Sequence, residues 1–282
     1  MNKNKIAIVA DSSCDLSDET LTRYNIKMIP LRICFSDRVY RDRIDLLPSD
    51  IYPMLEKEIP KSSLPSLEDI KSILDQVKEE GFTDVLYIGL STGLSGSYNF
   101  VKMVGEEYEG LNFHCVDTKT LSMGQGLLVL QAAKAIESGQ DIPNTIKLIN
   151  SIREKMQAFF VVKDLTYLSK GGRIGKVAGT VGSLLHLCPV VTVTPEGIYD
   201  TAAKTMGFNK AVDLMRREVE KRFANSKLVV SIVHGMNEEG AKALLDKVKN
   251  FANVVESSIS SVTAVLGVHT GPGLLGIIAY EL

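Results

Sequence analysis

Short apolar runs, each stopped by glycine, aspartate or hydroxyl residues, alternate along the chain with longer stretches whose apolar positions recur every three or four residues. Residues 5–10 form the first run and stop at Asp11-Ser12-Ser13; a helix over 17–24 and a second strand over 27–35 follow. This strand-helix-strand opening predicts a parallel α/β sheet. Val85 to Ile88 read as a buried parallel strand, 89–97 as the glycine-rich turn behind it, and 97–108 as the next helix. Helices over 49–58 and from Ser66 to Glu80, a strand over 112–116, a helical stretch ending at Ser138 and a helix over 143–156 complete a first α/β unit. Residues 38–45 read as an exposed loop or edge hairpin. The second unit restarts with a strand over 158–162 and a short helix at Leu165 and Leu168. It continues with a helix over 178–187, strands over 189–194, 227–233, 254–259 and 276–280, and helices over 207–223 and 238–251. The boundary falls near residue 156, giving domains 1–156 and 157–282, both α/β.

Composition narrows the function. The 282 residues are 45% hydrophobic and 23% charged, enough apolar content for a sizeable core. A formal net charge of −2 with scattered basic residues argues against a nucleic-acid partner. The apolar run before Asp11 is too short for a signal peptide, and no apolar stretch reaches the length of a membrane span, so a cytoplasmic protein is expected. Cys14, Cys34, Cys115 and Cys188 are far apart, as suits reduced structural thiols rather than a disulfide frame or a metal site.

Candidate chemistry gathers in a few stretches. The turn at 89–97 would offer backbone N–H groups and the Ser91, Thr92, Ser95 and Ser97 hydroxyls to a small anion; an unliganded Gly/Ser loop is the plain alternative. Asp11 and Ser12 end the first strand on the same edge, or else cap the helix behind them. Ser62 and Ser63 lie in a loop bracketed by Pro60 and Pro65, before a capping box of Ser66 and Asp69. Arg173 is delivered from a sharp turn between glycines, where a guanidinium suits a carboxylate or phosphate, or an interface ion pair. The stretch is not a Walker A loop, because the Gly–Gly-Lys spacing is wrong and Val177 stands where Ser or Thr is required. His269 sits beside a stiff turn, Gly271-Pro272-Gly273. An enzymatic alternative also exists. Gly89-Leu90-Ser91-Thr92-Gly93 fits the G-x-S-x-G pattern of an α/β-type serine hydrolase with Ser91 as nucleophile, although the glycine and serine run continues to Ser97 instead of entering a helix at once. A kinase acting alone is disfavoured, because acidic residues are not clustered for Mg²⁺.

Five motifs, VADSSCDL at 9–16, PKSSLPS at 60–66, STGLSGSY at 91–98, LTYLSKGGRI at 165–174 and HTGPG at 269–273, resemble in order and spacing those of the DegV family, across the whole chain. The resemblance implies an N-terminal parallel-sheet domain, a C-terminal mixed-sheet domain and a long-chain fatty acid bound between them, with no further cofactor and no metal. Characterised members serve as the fatty-acid-binding subunit of bacterial fatty acid kinase and present the acyl carboxylate to a separate ATP-dependent subunit that makes acyl phosphate. By that resemblance Ser62 or Ser63, Ser95 and the Gly96 backbone would hold the carboxylate, His269 would support the hydroxyl network and Arg173 would face the phosphate or the kinase. The chain would then be a carrier, not a catalyst. Leu64 departs from the glutamine common in the family and removes a side-chain amide. Thr92, where serine is common, keeps its hydroxyl. The apolar helices at 177–187 and 127–136 are candidate walls for the acyl tail, or else ordinary core.

Overall fold

The computed structural model describes residues 3–175, 177, 187–224, 226–250 and 253–282. Strands β1 (Ile6–Asp11), β2 (Lys27–Ile29), β6 (Asp84–Gly89) and β7 (Asn112–Asp117) form a parallel sheet in the order β2-β1-β6-β7. Alternation along the central strands divides two cores. Ala7, Val9, Val85 and Tyr87 face helices α3 (Leu67–Glu79) and α4 (Ser97–Glu106). Ile6, Ile8, Ala10, Leu86 and Ile88 face the opposite core, which includes α5 (Met123–Glu137). Helix α5 comes close because Gly126 has no side chain: a Cβ there would lie 2.2 Å from the Cys14 carbonyl oxygen.

The C-terminal part is a mixed six-stranded sheet in the order β10-β9-β8-β13-β11-β12. Its strands are β8 (Met156–Val161), β9 (Leu187–Val193), β10 (Tyr199–Met206), β11 (Lys227–His234), β12 (Asn253–Ser261) and β13 (Leu275–Glu281). One face carries Phe159, Val161, Val230 and Ile277 against α8 (Phe208–Phe223) and α9 (Glu238–Lys249). The other face, with Ala158, Phe160, Val191, Val233 and Ile278, shares one hydrophobic core with α5 and the parallel sheet. Helix α6 (Ile142–Glu154) connects the two parts and packs beside α5. The mixed α/β class, with a parallel N-terminal and a mixed C-terminal sheet, is as the sequence indicated.

Three local readings change. The strand expected over 27–35 is broken at Pro30, which has no N–H for a ladder: β2 stays in the parallel sheet, and β3 (Arg32–Cys34) enters a separate antiparallel sheet, β4-β3-β5, with β4 (Val39–Arg41) and β5 (Lys61–Ser63). Ser62 and Ser63 therefore stand on an edge strand, not in a proline-bracketed turn. Strand β10 and helix α10 (Ala264–Thr270) were not expected. The helix read over 178–187 falls outside the described residues except at Leu187, which opens β9.

Helix α10 fixes the site. All seven of its residues are buried, and it packs against α2 (Pro48–Leu55), α7 (Thr166–Lys170) and β5.

Candidate functional site

A space lies between the two sheets, with an empty volume of about 830 Å³ including its open mouth. Most of its wall is apolar: Leu90, Leu94 and Leu121 from the loops above the parallel sheet, Phe160 and Ile278 from the mixed sheet, Val265 and Leu266 from α10. Ser62, Ser63, Ser95, Arg173 and His269 all line the same space, although they come from four separate regions of the chain. Gly96 heads α4 between Ser95 and Ser97.

Each polar group has a definite setting. Ser62 Oγ and His269 Nε2 are 2.7 Å apart. Strand β5 pairs Ser62 with Ile33 and sets the serine facing α10. His269 is in the last turn of α10, 8% exposed, and its Nδ1 has no partner among the described residues. Burial, with the Arg173 charge acting in the same direction, pushes the imidazole down to about 4, so it is neutral at pH 7. A neutral ring holding Nε2–H donates to Ser62 Oγ and leaves the serine proton free for an anion; the other tautomer accepts that proton. Gly171, which ends α7, packs directly on the ring: a Cβ there would lie 2.1 Å from Nδ1.

The loop after β6 is more self-contained than the sequence suggested. Leu90 N–H donates to Asp11 Oδ2 at 2.8 Å, Ser91 N–H to the Thr120 carbonyl at 3.0 Å, and Thr92 N–H to Asp117 Oδ1 at 3.3 Å. Gly93, Leu94 and Ser95 N–H groups all donate to Ser91 oxygens. The expected backbone cradle along 89–97 is thus consumed internally, because a tight loop must satisfy its own donors. Gly96 N–H differs and has no acceptor among the described residues. Beside it the Ser95 and Ser97 hydroxyls lie 2.8 Å apart. What remains open is a compact donor group of Ser95, Gly96 and Ser97 at the start of α4, where the helix dipole also favours negative charge.

Arg173 is half-buried, and its Nη1 donates to the Gly171 carbonyl at 2.6 Å. No carboxylate among the described residues pairs with it. A guanidinium at the edge of an apolar space without a fixed counter-ion is suited to an anionic ligand.

A family model described as an uncharacterised protein of the DegV family matches residues 5–282. The chain is a member of the DegV family. A DegV domain-containing protein of Clostridium perfringens is 38% identical over 273 residues, covering 97% of each chain. Two solved structures are similar throughout. A DegV family protein from Thermus thermophilus, described by its fatty acid binding, has a TM-score of 0.90 and 29% identity over all of both chains. A stearic-acid-binding protein from Eubacterium ventriosum has a TM-score of 0.87 and 28% identity over 98% of each.

The serine-hydrolase reading of this DegV protein fails on geometry. Ser91 is fully buried, its Oγ donates to the Gly197 carbonyl at 2.7 Å, and it does not line the cavity. Among the described residues it has no histidine base, it sits on no exposed elbow, and α4 begins only at Ser97. Asp11 and Ser12 are structural as well. Asp11 accepts from Leu90 N–H, the Tyr87 hydroxyl and Gln125 Nε2, tying β1 to β6 and α5, and Ser12 Oγ accepts from Leu31 N–H. The tail wall expected at 127–136 belongs to the core between the sheets and not to the cavity; residues 178–186 lie outside the described residues.

Residues the sequence did not single out also line the space. Tyr199, on β10, stands edge-on to Phe160 with ring centroids 5.1 Å apart, and burial drives its phenol well above its ordinary range while the Arg173 charge opposes the shift. Ser122 and Thr270 join it. Tyr199 carried no sequence signal because it belongs to an unrecognised strand; Thr270 adjoins His269 and was legible.

Proposed function

We propose that this DegV protein binds one long-chain fatty acid, with its carboxylate at Ser62, Ser95, Gly96 and His269 and its tail in the apolar space between the sheets. One observation carries the reading: a mostly apolar space between the sheets whose wall carries hydroxyls, a neutral histidine and a guanidinium with no carboxylate partner among the described residues. The relatives described as fatty acid binding support the same ligand class. Burying about 14 methylenes at about 0.8 kcal/mol each contributes roughly 11 kcal/mol before ordering costs. Affinity then comes from the tail, and the polar end sets the direction of the ligand. Of the two serines, Ser62 is the carboxylate contact, because it is the one joined to His269.

The role that follows is presentation of the carboxylate to a separate ATP-dependent kinase subunit. In that transfer a carboxylate oxygen forms a bond to the γ-phosphorus of ATP, the bond from that phosphorus to the β–γ bridging oxygen breaks, and ADP leaves. Arg173 faces the transferred phosphoryl group and balances its negative charge.

The test separates holding from transfer. Purified wild type and the Ser95→Ala and Arg173→Ala variants are loaded with oleate and mixed with the kinase subunit and ATP. Arg173→Ala should retain oleate but form acyl phosphate at least about ten-fold more slowly, as loss of one charged transition-state contact implies. Equal rates in all three proteins would overturn the assignment.

A further inference from the structure

The place of His269 depends on a short helix whose own contacts are mostly apolar, and apolar packing alone does not fix rotation or axial register. Two directional bonds do. Thr263 N–H donates to Asp15 Oδ1 at 2.8 Å, and Val265 N–H donates to Asp42 Oδ1 at 3.1 Å. Both carboxylates come from the N-terminal part, 248 and 223 residues away along the chain. Both are buried, Asp15 at 4% and Asp42 at 0% exposure. Asp15 is itself held: its backbone is left-handed at φ 50°, and Ser122, which lines the cavity, donates its hydroxyl to Oδ2. Asp42 is anchored by its own N–H to the Leu31 carbonyl at 2.9 Å.

We propose that Asp15 and Asp42 are positioning residues for His269, holding α10 at the one rotation and register in which Nε2 meets Ser62 and the carboxylate end of the cavity. The proposal rests on the fatty-acid reading above. A shift of α10 by one residue moves it about 1.5 Å along its axis and turns it by about 100°, enough to carry the imidazole out of reach of Ser62. Two carboxylates in a core cost far more to bury than the amide of asparagine, which accepts the same bond. Among the described residues the neighbourhood provides one cation, Arg43, whose guanidinium also binds Asp18; Cys14, Tyr52 and the Ser12, Ser122 and Thr263 hydroxyls also face the pair. Burial raises both carboxyls to about 7.

The experiment compares variants of similar size that differ in the acceptor. Asp42→Asn and Asp15→Asn keep an oxygen for the α10 N–H; Asp42→Leu and Asp15→Leu do not. The full-length protein is delipidated, and the imidazole ¹⁵N and ¹H signals of His269 are recorded before and after loading with oleate, together with the oleate dissociation rate. The leucine variants should lose the hydrogen-bonded Nε2 signature and release oleate about five-fold faster or more. The asparagine variants should restore both. Folded leucine variants with the wild-type His269 signature would overturn the proposal, as would asparagine variants that behave like leucine. Should a leucine variant fail to fold, the asparagine pair and the other position decide. If wild type takes up no oleate, the ligand reading fails while the His269 signature still tests the positioning.

Discussion

Ser62 Oγ and His269 Nε2 stand 2.7 Å apart although 207 positions separate them in sequence. The contact joins an edge strand of the small antiparallel sheet to the last turn of α10, and so couples the N-terminal and C-terminal parts at the polar end of the cavity. Removing either partner leaves the other short of a hydrogen bond in a part-buried site. His269→Ala and Ser62→Ala should each weaken fatty acid binding by about 1–2 kcal/mol, and the double variant by less than the sum, because both remove the same bond. Calorimetric titration of delipidated protein with oleate measures all three. Strict additivity would show that the two groups act separately.

Gly171 should tolerate no side chain. A Cβ would approach His269 Nδ1 to 2.1 Å, so Gly171→Ala must push the imidazole or the end of α7 aside. The expected cost is about 1–3 kcal/mol of stability, with weakened oleate binding, since the displaced ring is the one bonded to Ser62. Gly172→Ala provides the contrast. No described residue lies within 4 Å of a Cβ there, so its effect comes from the left-handed backbone at φ 71° and should leave the His269 signals in place. Thermal melts and oleate titrations distinguish the two.

Stability should fall between mildly acidic and alkaline pH. Folded Asp15 and Asp42 keep their protons to about pH 7, whereas an unfolded chain releases them near 4, at roughly the ordinary carboxylate value. The folded state therefore binds more protons across that window. The stability these groups contribute is full below about pH 4 and is lost as pH rises through about 7. Asp42→Asn, which carries no charge, should raise the melting temperature at pH 8 by several degrees while changing little at pH 5. An equal change at both pH values would contradict the assignment. His269 acts in the opposite sense, with stability lost as pH falls from about 6.5 to about 4.

Ser91→Ala should leave fatty acid binding intact. The hydroxyl donates to the Gly197 carbonyl and is fully buried, so its loss should cost about 1 kcal/mol of stability. Fluorophosphonate should not label wild type, and ester hydrolysis by the purified protein that disappears in Ser91→Ala would restore the hydrolase reading.

What the sequence discloses follows the range of the interactions involved. The buried run Ile6–Asp11, the loop after β6 and the Ser66 cap of α3 are local patterns, and each is read within a residue or two of its place. Strand β5 is three residues long and exists only by pairing with β3, so nothing near Ser62 announces it. Helix α10 was hidden for another reason: seven residues long, mostly apolar and buried throughout, it lacks the amphipathic period that marks a surface helix. The candidate residues were easier to single out than the elements carrying them. Arg173 and His269 stood out as charged or titratable groups next to glycine turns, which is a chemical signal independent of topology. The opposite happened at 89–97, where the donors were legible and their internal acceptors, Asp11, Asp117 and Thr120, were not.

Native mass spectrometry of the purified protein, followed by solvent extraction and identification of whatever is released, tests the central claim most directly. The account predicts one long-chain fatty acid per chain, displaced by added oleate in the same ratio and retained far less by a variant whose cavity is filled, such as Ala158→Trp. A protein that emerges empty and takes up neither oleate nor palmitate would contradict it.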